Sequence, residues 1–212
     1  MSDSKNSVKG GVQPLPMVEA KKRGEEVGLP GHFSQLNVFR VLLHHPPLAK
    51  VLADNLSMLL GQGNVLKPRL RELIIMRIGW QTGSNYEWTQ HWRIAIMCGA
   101  TEEELFALRT DWKSSGFFDD ADRAVLAATD DMLEHGRILP QTLGLVKAHV
   151  GGEDQVIEVV AAICNWRTFS QLLLSLEVEL EEGIESWAPD GKVPDNAPQI
   201  GAESPTPALE EA

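Results

Sequence analysis

Apolar residues return every three to four positions along most of the chain, and the runs are punctuated by proline, glycine and capping residues rather than by strand-like alternation. Leu36 to His44 reads as a short apolar helix. Pro46-Pro47 opens a second, Leu48 to Leu60, closed by Gly61 and Gly63. Pro68 starts a third, and Gly83 with Ser84 supplies a stop and a new N-cap, so that Leu66 to Gly99 reads as two consecutive helices joined by a tight turn. Thr101 to Glu104 is a capping box that starts a short helix through about Leu108. Trp112 to Phe118 reads as a loop. Asp119 or Asp120 caps a helix with Ala124, Val125, Ala128, Met132 and Leu133 on one stripe, stopped by Gly136. Pro140 begins a helix through Val150, and Gly151-Gly152 separates it from a long apolar segment, Asp154 to Glu182. The pattern predicts an all-α compact bundle of about eight helices and no strand.

The two ends lack that period. Residues 1–30 are rich in Gly, Lys, Ser and Pro and are expected to form a flexible N-terminal arm, or a segment that packs on a neighbouring subunit. Residues 31–186 form the helical domain, and 187–212, with repeated Pro, Ala, Gly and Glu, read as a disordered acidic tail.

Composition narrows the function classes. The 212 residues are 43% hydrophobic, enough for a packed core. A net charge of −11 and a pI near 5.0 argue against nucleic-acid phosphate or an anionic membrane as partner and favour small molecules. No run approaches a membrane span and the N-terminus has no apolar signal core, so a cytoplasmic location is expected. Cys98 and Cys164 do not form a C-x-x-C and sit in apolar helical patterns, which predicts buried free thiols. No nucleotide loop, flavin signature or Schiff-base lysine is present, and no cofactor is expected.

The candidate chemistry lies in the central helix pair. Ser84, Glu87 and His91 sit at i, i+3 and i+7, on one helical face and within about 11 Å of axis. Trp88, Ala95 and Cys98 border that face. A hydroxyl, a carboxylate and an imidazole among apolar residues read as a pocket wall. Glu72 lies in the apolar stretch LRELIIM, where an unpaired buried carboxylate would cost on the order of several kcal/mol, so it demands a partner: His91, or an arginine such as Arg71, Arg77 or Arg93.

Each of these residues also has a structural reading. Ser84 suits an N-cap, since no nucleophile elbow surrounds it. Glu87, four residues before His91, either orients the imidazole or serves the helix dipole. Tyr86, Trp88 and Trp92 read as packing, with one of them available to floor a pocket beside Met76. Arg167 either bridges an oligomer interface or holds a substrate carboxylate through its fork. His44 and His45 end the first helix and suit its C-terminal dipole. Glu72, Glu87 and His91 could supply three metal ligands, but their spacing matches no metal motif and no metal is expected.

The residues resemble a known family. Glu72, eleven residues, Ser84, two residues, Glu87, three residues and His91 follow the pattern Glu, eleven residues, Cys-x-x-Cys-x-x-x-His of the alkylhydroperoxidase D-type branch of the carboxymuconolactone decarboxylase superfamily, with both cysteines replaced. LKPRLRELIIMRIGW, YEW and GATEEELFAL look like the cysteine-less members, and the resemblance spans roughly Asn37 to Glu182. It implies an alkylhydroperoxidase D-like bundle that assembles as homo-oligomers, trimers or hexamers. It also implies a cofactor-independent acid/base lyase or isomerase, such as a decarboxylase, with Glu72, His91 and Glu87 catalytic and Ser84, Tyr86, Trp88, Met76 and Arg167 binding a small oxygenated, aromatic-derived compound. Two other functions stay open: a thiol peroxidase or disulfide reductase, which the missing thiol pair disfavours, and a non-catalytic binding or assembly protein.

Overall fold

The computed structural model describes residues 11–198, which contain nine α-helices and no strand. In chain order these are α1 (Met17–Glu26), α2 (Asn37–Leu42), α3 (Pro46–Leu60), α4 (Pro68–Thr82), α5 (Asn85–Met97), α6 (Glu102–Ala107), α7 (Asp120–His135), α8 (Pro140–His149) and α9 (Glu153–Ser175). The predicted caps hold at Thr101 and Asp119, each a reciprocal capping box. His45 does more than end a helix: its Nδ1 accepts from Leu48 N at the start of α3. No helix among the described residues is long and apolar enough to cross a membrane.

The centre of the bundle is α4. Every residue from Leu70 to Trp80 is buried, because α5, α7 and α9 cover it on all sides. Burying Arg77 there is tolerable because its guanidinium is matched, with Nε 2.7 Å from Asp130 Oδ1, Nη2 3.1 Å from Asp130 Oδ2 and Nη1 2.7 Å from the Leu108 carbonyl. Gly79 sets how closely α5 can approach: a Cβ there would lie 3.0 Å from Trp88 N. Gly83, with φ of +70°, then turns the chain, and Ser84 N returns to the Gly79 carbonyl at 2.8 Å.

Two segments depart from the sequence pattern. Residues 1–30 were expected to be a flexible arm, yet Met17–Glu26 is a helix; its buried contacts come from Ala20 and Gly24, residues too small to mark an apolar stripe. Residues 1–10 and 199–212 lie outside the described residues. The second departure is the end of α9, expected at Glu182. The helix closes at Ser175 with Glu177 in the left-handed region at φ +50° and Val178 N bonded to the Leu173 carbonyl, a Schellman turn without a glycine to announce it.

The chain from Leu176 to Pro198 becomes a strap laid over α5. The start of the expected tail is thus packed: Trp187 is buried, Trp88 Nε1 donates to the Ala188 carbonyl at 2.6 Å, and Asn196 Nδ2 reaches the Gln81 carbonyl at 2.6 Å. Trp187 completes a second, smaller core with Leu73, Met76, Trp80, Trp88 and Trp92, separate from the main core of α1–α4 and α7–α9.

Candidate functional site

Glu72 leaves α4 into the junction with α5 and is completely buried. Each carboxylate oxygen has its own partner. Arg71 Nε and Nη2 both lie 3.1 Å from Oε1, while His91 Nδ1, from α5, lies 2.8 Å from Oε2. Arg71 is fixed in turn by Nη1 donating to the Leu59 carbonyl at the end of α3, 3.1 Å away. The other imidazole nitrogen, Nε2, stands 3.6 Å from Glu87 Oε2, the i, i+4 relation that the sequence spacing implied. The edge of the ring system is closed by Trp166 of α9, perpendicular to His91 with centroids 6.1 Å apart.

These neighbours push the three groups apart electrostatically. Burial pushes the Glu87 carboxyl up to about 7, with the Glu72 charge adding and His91 opposing. Burial would also raise Glu72, but the charges and hydrogen bonds of His91 and Arg71 outweigh it and hold that carboxyl below its ordinary value. For His91 burial acts downward, and Glu72, then Glu87, overcome it and raise the imidazole. The site therefore favours the ionised form of Glu72 and the protonated form of His91, with Glu87 balanced between its two forms near pH 7. Glu87 has no hydrogen bond among the described residues, so its proton is uncommitted.

Not all the expected pocket residues face this ring. Trp88 and Met76, expected beside the pair, lie in the second core, where Trp88 stacks at 4.9 Å from Trp80 and 5.6 Å from Trp92. Tyr86 is engaged by the strap, its hydroxyl donating to Glu181 at 2.6 Å. Arg167 donates to the Met132 carbonyl at 2.8 Å and lines a cleft with Arg77, Lys113 and Gln171, on the α7 side of α9. Ser84 occupies the N-cap position of α5, but its hydroxyl makes no capping bond and is buried without a partner. The thiols also differ from expectation: Cys98 is half-buried and Cys164 exposed, because α9 turns Cys164 outward and Cys98 is the C-cap of α5. Among the described residues no group of three or more His, Cys, Asp or Glu side chains converges to hold a metal ion.

Sequence reasoning gave no role to Trp166 or Asn165. It is Trp166, rather than the candidate Arg167 beside it, that meets His91. Asn165 pairs with Asn55 of α3 at 2.7 Å.

This geometry can be set against known proteins. Residues 46–131 match the model of the carboxymuconolactone decarboxylase family. That segment runs from α3 into α7 and contains Glu72, Ser84, Glu87 and His91. Solved structures share the fold at low identity. A peroxidase-related protein from Silicibacter sp. TM1040 is 13% identical with a TM-score of 0.66, covering 87% of this chain and 97% of that one. The debrominase Bmp8, in complex with 2,3,4-tribromopyrrole, is 16% identical with a TM-score of 0.64, covering 84% and 95%. An alkylhydroperoxidase AhpD core protein from Ralstonia eutropha JMP134 is 13% identical with a TM-score of 0.63, covering 79% and 87%. No curated protein matches the chain. The carboxymuconolactone decarboxylase match and the shared bundle support the superfamily that the helix pair resembles, and the chain has the AhpD-like fold.

Proposed function

We propose that this protein is a cofactor-independent acid/base enzyme, a lyase or isomerase, acting on a small oxygenated compound. The observation that carries the reading is the buried imidazole between two unlike carboxylates: Nδ1 2.8 Å from Glu72 and Nε2 3.6 Å from Glu87. Glu72 keeps His91 charged and oriented, and Glu87, titrating near neutrality, takes a proton from carbon or returns one. Isomerisation through an enol-like intermediate needs both movements, whereas decarboxylation forms that intermediate by loss of CO2 and needs only the returned proton. The fold is compatible with a small ring compound, since a debrominase of the same fold binds a brominated pyrrole.

The thiol-peroxidase reading is the weaker one. It rests on peroxidase-related proteins of the same fold, but here the two positions of the thiol pair hold Ser84 and Glu87, and Cys98 and Cys164 are free on separate helices. A purely binding or assembly role remains the second reading. It is disfavoured by the cost of burying Glu72, Glu87 and His91 together with no chemistry to perform. Homo-oligomerisation belongs to the same proposal: Met97, Ile157 and Val51 are 85%, 68% and 65% exposed, large apolar groups that a second copy would cover.

The test is a thermal-shift screen of small carbonyl and carboxylate compounds, followed by turnover assays of each stabilising compound with wild-type protein and His91→Ala. Turnover lost in the folded variant is the expected result. Unchanged kcat/KM in His91→Ala moves the chemistry elsewhere.

A further inference from the structure

Arg71, Arg77 and Arg167 hold their guanidinium groups in one pattern, and Arg167 leaves it incomplete. Arg71 gives Nη1 to the Leu59 carbonyl in the last turn of α3, and its Nε and Nη2 both meet Glu72. Arg77 gives Nη1 to the Leu108 carbonyl, the C-cap of α6, and its Nε and Nη2 grip the two oxygens of Asp130. Arg167 gives Nη1 to the Met132 carbonyl in the last turn of α7, 2.8 Å away, but its Nε and Nη2 have no partner among the described residues. That edge is the one through which a guanidinium receives a carboxylate side-on, by two parallel N–H···O bonds. Arg167 is half-buried and its unpaired nitrogens stay within reach of solvent, in a cleft of about 500 Å³ between α4, α7 and α9. Arg77 and Asp130 cancel in its wall and Lys113 stands against Glu134, so the charge of Arg167 is left over. Gln81 and Gln171 add side-chain amides that make no hydrogen bond among the described residues, and half-buried Leu133 adds a small apolar surface.

We infer that this cleft binds a small monocarboxylate, a hydroxy or oxo acid of a few carbons, whose carboxylate takes the place at Arg167 that Asp130 takes at Arg77. The Nε and Nη2 edge receives both carboxylate oxygens, and the single leftover charge matches one anion. The glutamine amides bond the oxygen on the carbon chain, and Leu133 meets the chain itself. Arg167 thus keeps the role that its fork suggests, in a cleft that His91 does not line. The inference stands on the unfilled edge and holds whether or not the Glu72 and His91 pair is catalytic.

Lactate is the probe, titrated into the full-length protein while the Nε–H signals of the arginines and the side-chain amide signals of Gln81 and Gln171 are followed by ¹⁵N NMR. The Arg167 signal should shift saturably, and the Arg77 signal, whose edge Asp130 already fills, should stay in place. Arg167→Lys keeps the charge, removes the fork and should weaken binding roughly ten- to hundredfold, the loss of one charge-assisted hydrogen bond. Gln171→Glu sets a carboxylate four residues along α9 from Arg167, fills the edge from within the chain and should abolish binding. Gln171 is exposed, so this variant carries the test if Arg167→Lys does not fold. An Arg167 signal that lactate leaves in place, or wild-type affinity in either folded variant, overturns the site. Methyl lactate binding as tightly as lactate, or sulfate binding more tightly, overturns the carboxylate class.

Discussion

His91 Nδ1 approaches Glu72 at Oε2, the carboxylate oxygen that Arg71 leaves free, so the imidazole and the guanidinium share one buried anion. The arginine is as much a part of this arrangement as the histidine. Arg71→Met should leave the buried Glu72 charge to His91 alone, and breaking a buried pair by removing one partner costs about 3–5 kcal/mol. Chemical denaturation should show a loss of that size for Arg71→Met and a smaller one for the double variant with Glu72→Gln, in which nothing is left charged and unpaired. A single-variant loss below about 1 kcal/mol would mean that water reaches Glu72 and does the work assigned to Arg71.

Glu87 gives the protein a pH signature. Its folded pKa of about 7 stands above its ordinary value of 4.5, so between those values the folded state holds a proton that the unfolded state has released. Stability from this group is fully present below pH 4.5 and is lost as pH rises through 7. Glu87→Gln should remove that decline and make the variant more stable than wild type at pH 8, by on the order of a few kcal/mol. Thermal melts of both proteins across pH 5 to 8 check it; parallel curves would place Glu87 in contact with solvent.

The thiols should be dispensable. Replacing Cys98 and Cys164 together by serine is expected to leave turnover of any substrate found by screening within about twofold, because acid/base chemistry uses neither sulfur. Burial and the Glu72 charge also push the Cys98 thiol up, away from the reactive thiolate. A folded double variant without activity would restore a redox reading.

How much of this was readable beforehand varies with the physics of each element. Helix limits were legible wherever a proline, glycine or capping box marks them, as at Pro46, Gly83, Thr101 and Asp119. They were not at Glu177, a non-glycine residue in the left-handed conformation, nor in α1, whose buried face is two small residues. Glu72 announced itself because a carboxylate in an apolar run must be paired, and the spacing from Glu87 to His91 followed from helical geometry. The missed contacts share one cause. Trp88 stands one residue beyond Glu87 and Arg167 one beyond Trp166, and a step of about 100° turns each into a different neighbourhood. Sequence periodicity gives the faces of a helix but not which neighbour each face meets.

The strap should respond to a single surface residue. Arg109 lies under Asp190, with Nη1 2.9 Å from each carboxylate oxygen, and its guanidinium is packed 4.9 to 5.8 Å from the rings of Trp80, Trp88, Trp92 and Phe106. Because Asp190 is half exposed, Asp190→Asn should cost only about 1 kcal/mol of global stability. It should nevertheless speed hydrogen exchange at Gly191 N, which bonds to the Trp187 carbonyl, while leaving α4 protected. Unchanged exchange there would mean that Trp187 and the Trp88 bond to Ala188 hold the strap alone.

The central claim is that Glu72 stabilises the protonated form of His91, and the most direct measurement is a ¹⁵N NMR titration of the His91 imidazole in wild type and in Glu72→Gln. The wild-type ring should titrate above the ordinary histidine value of 6.5, and Glu72→Gln should bring the midpoint down, since burial then acts without the charge that opposes it. A wild-type midpoint at or below 6.5 that Glu72→Gln leaves in place would contradict the account.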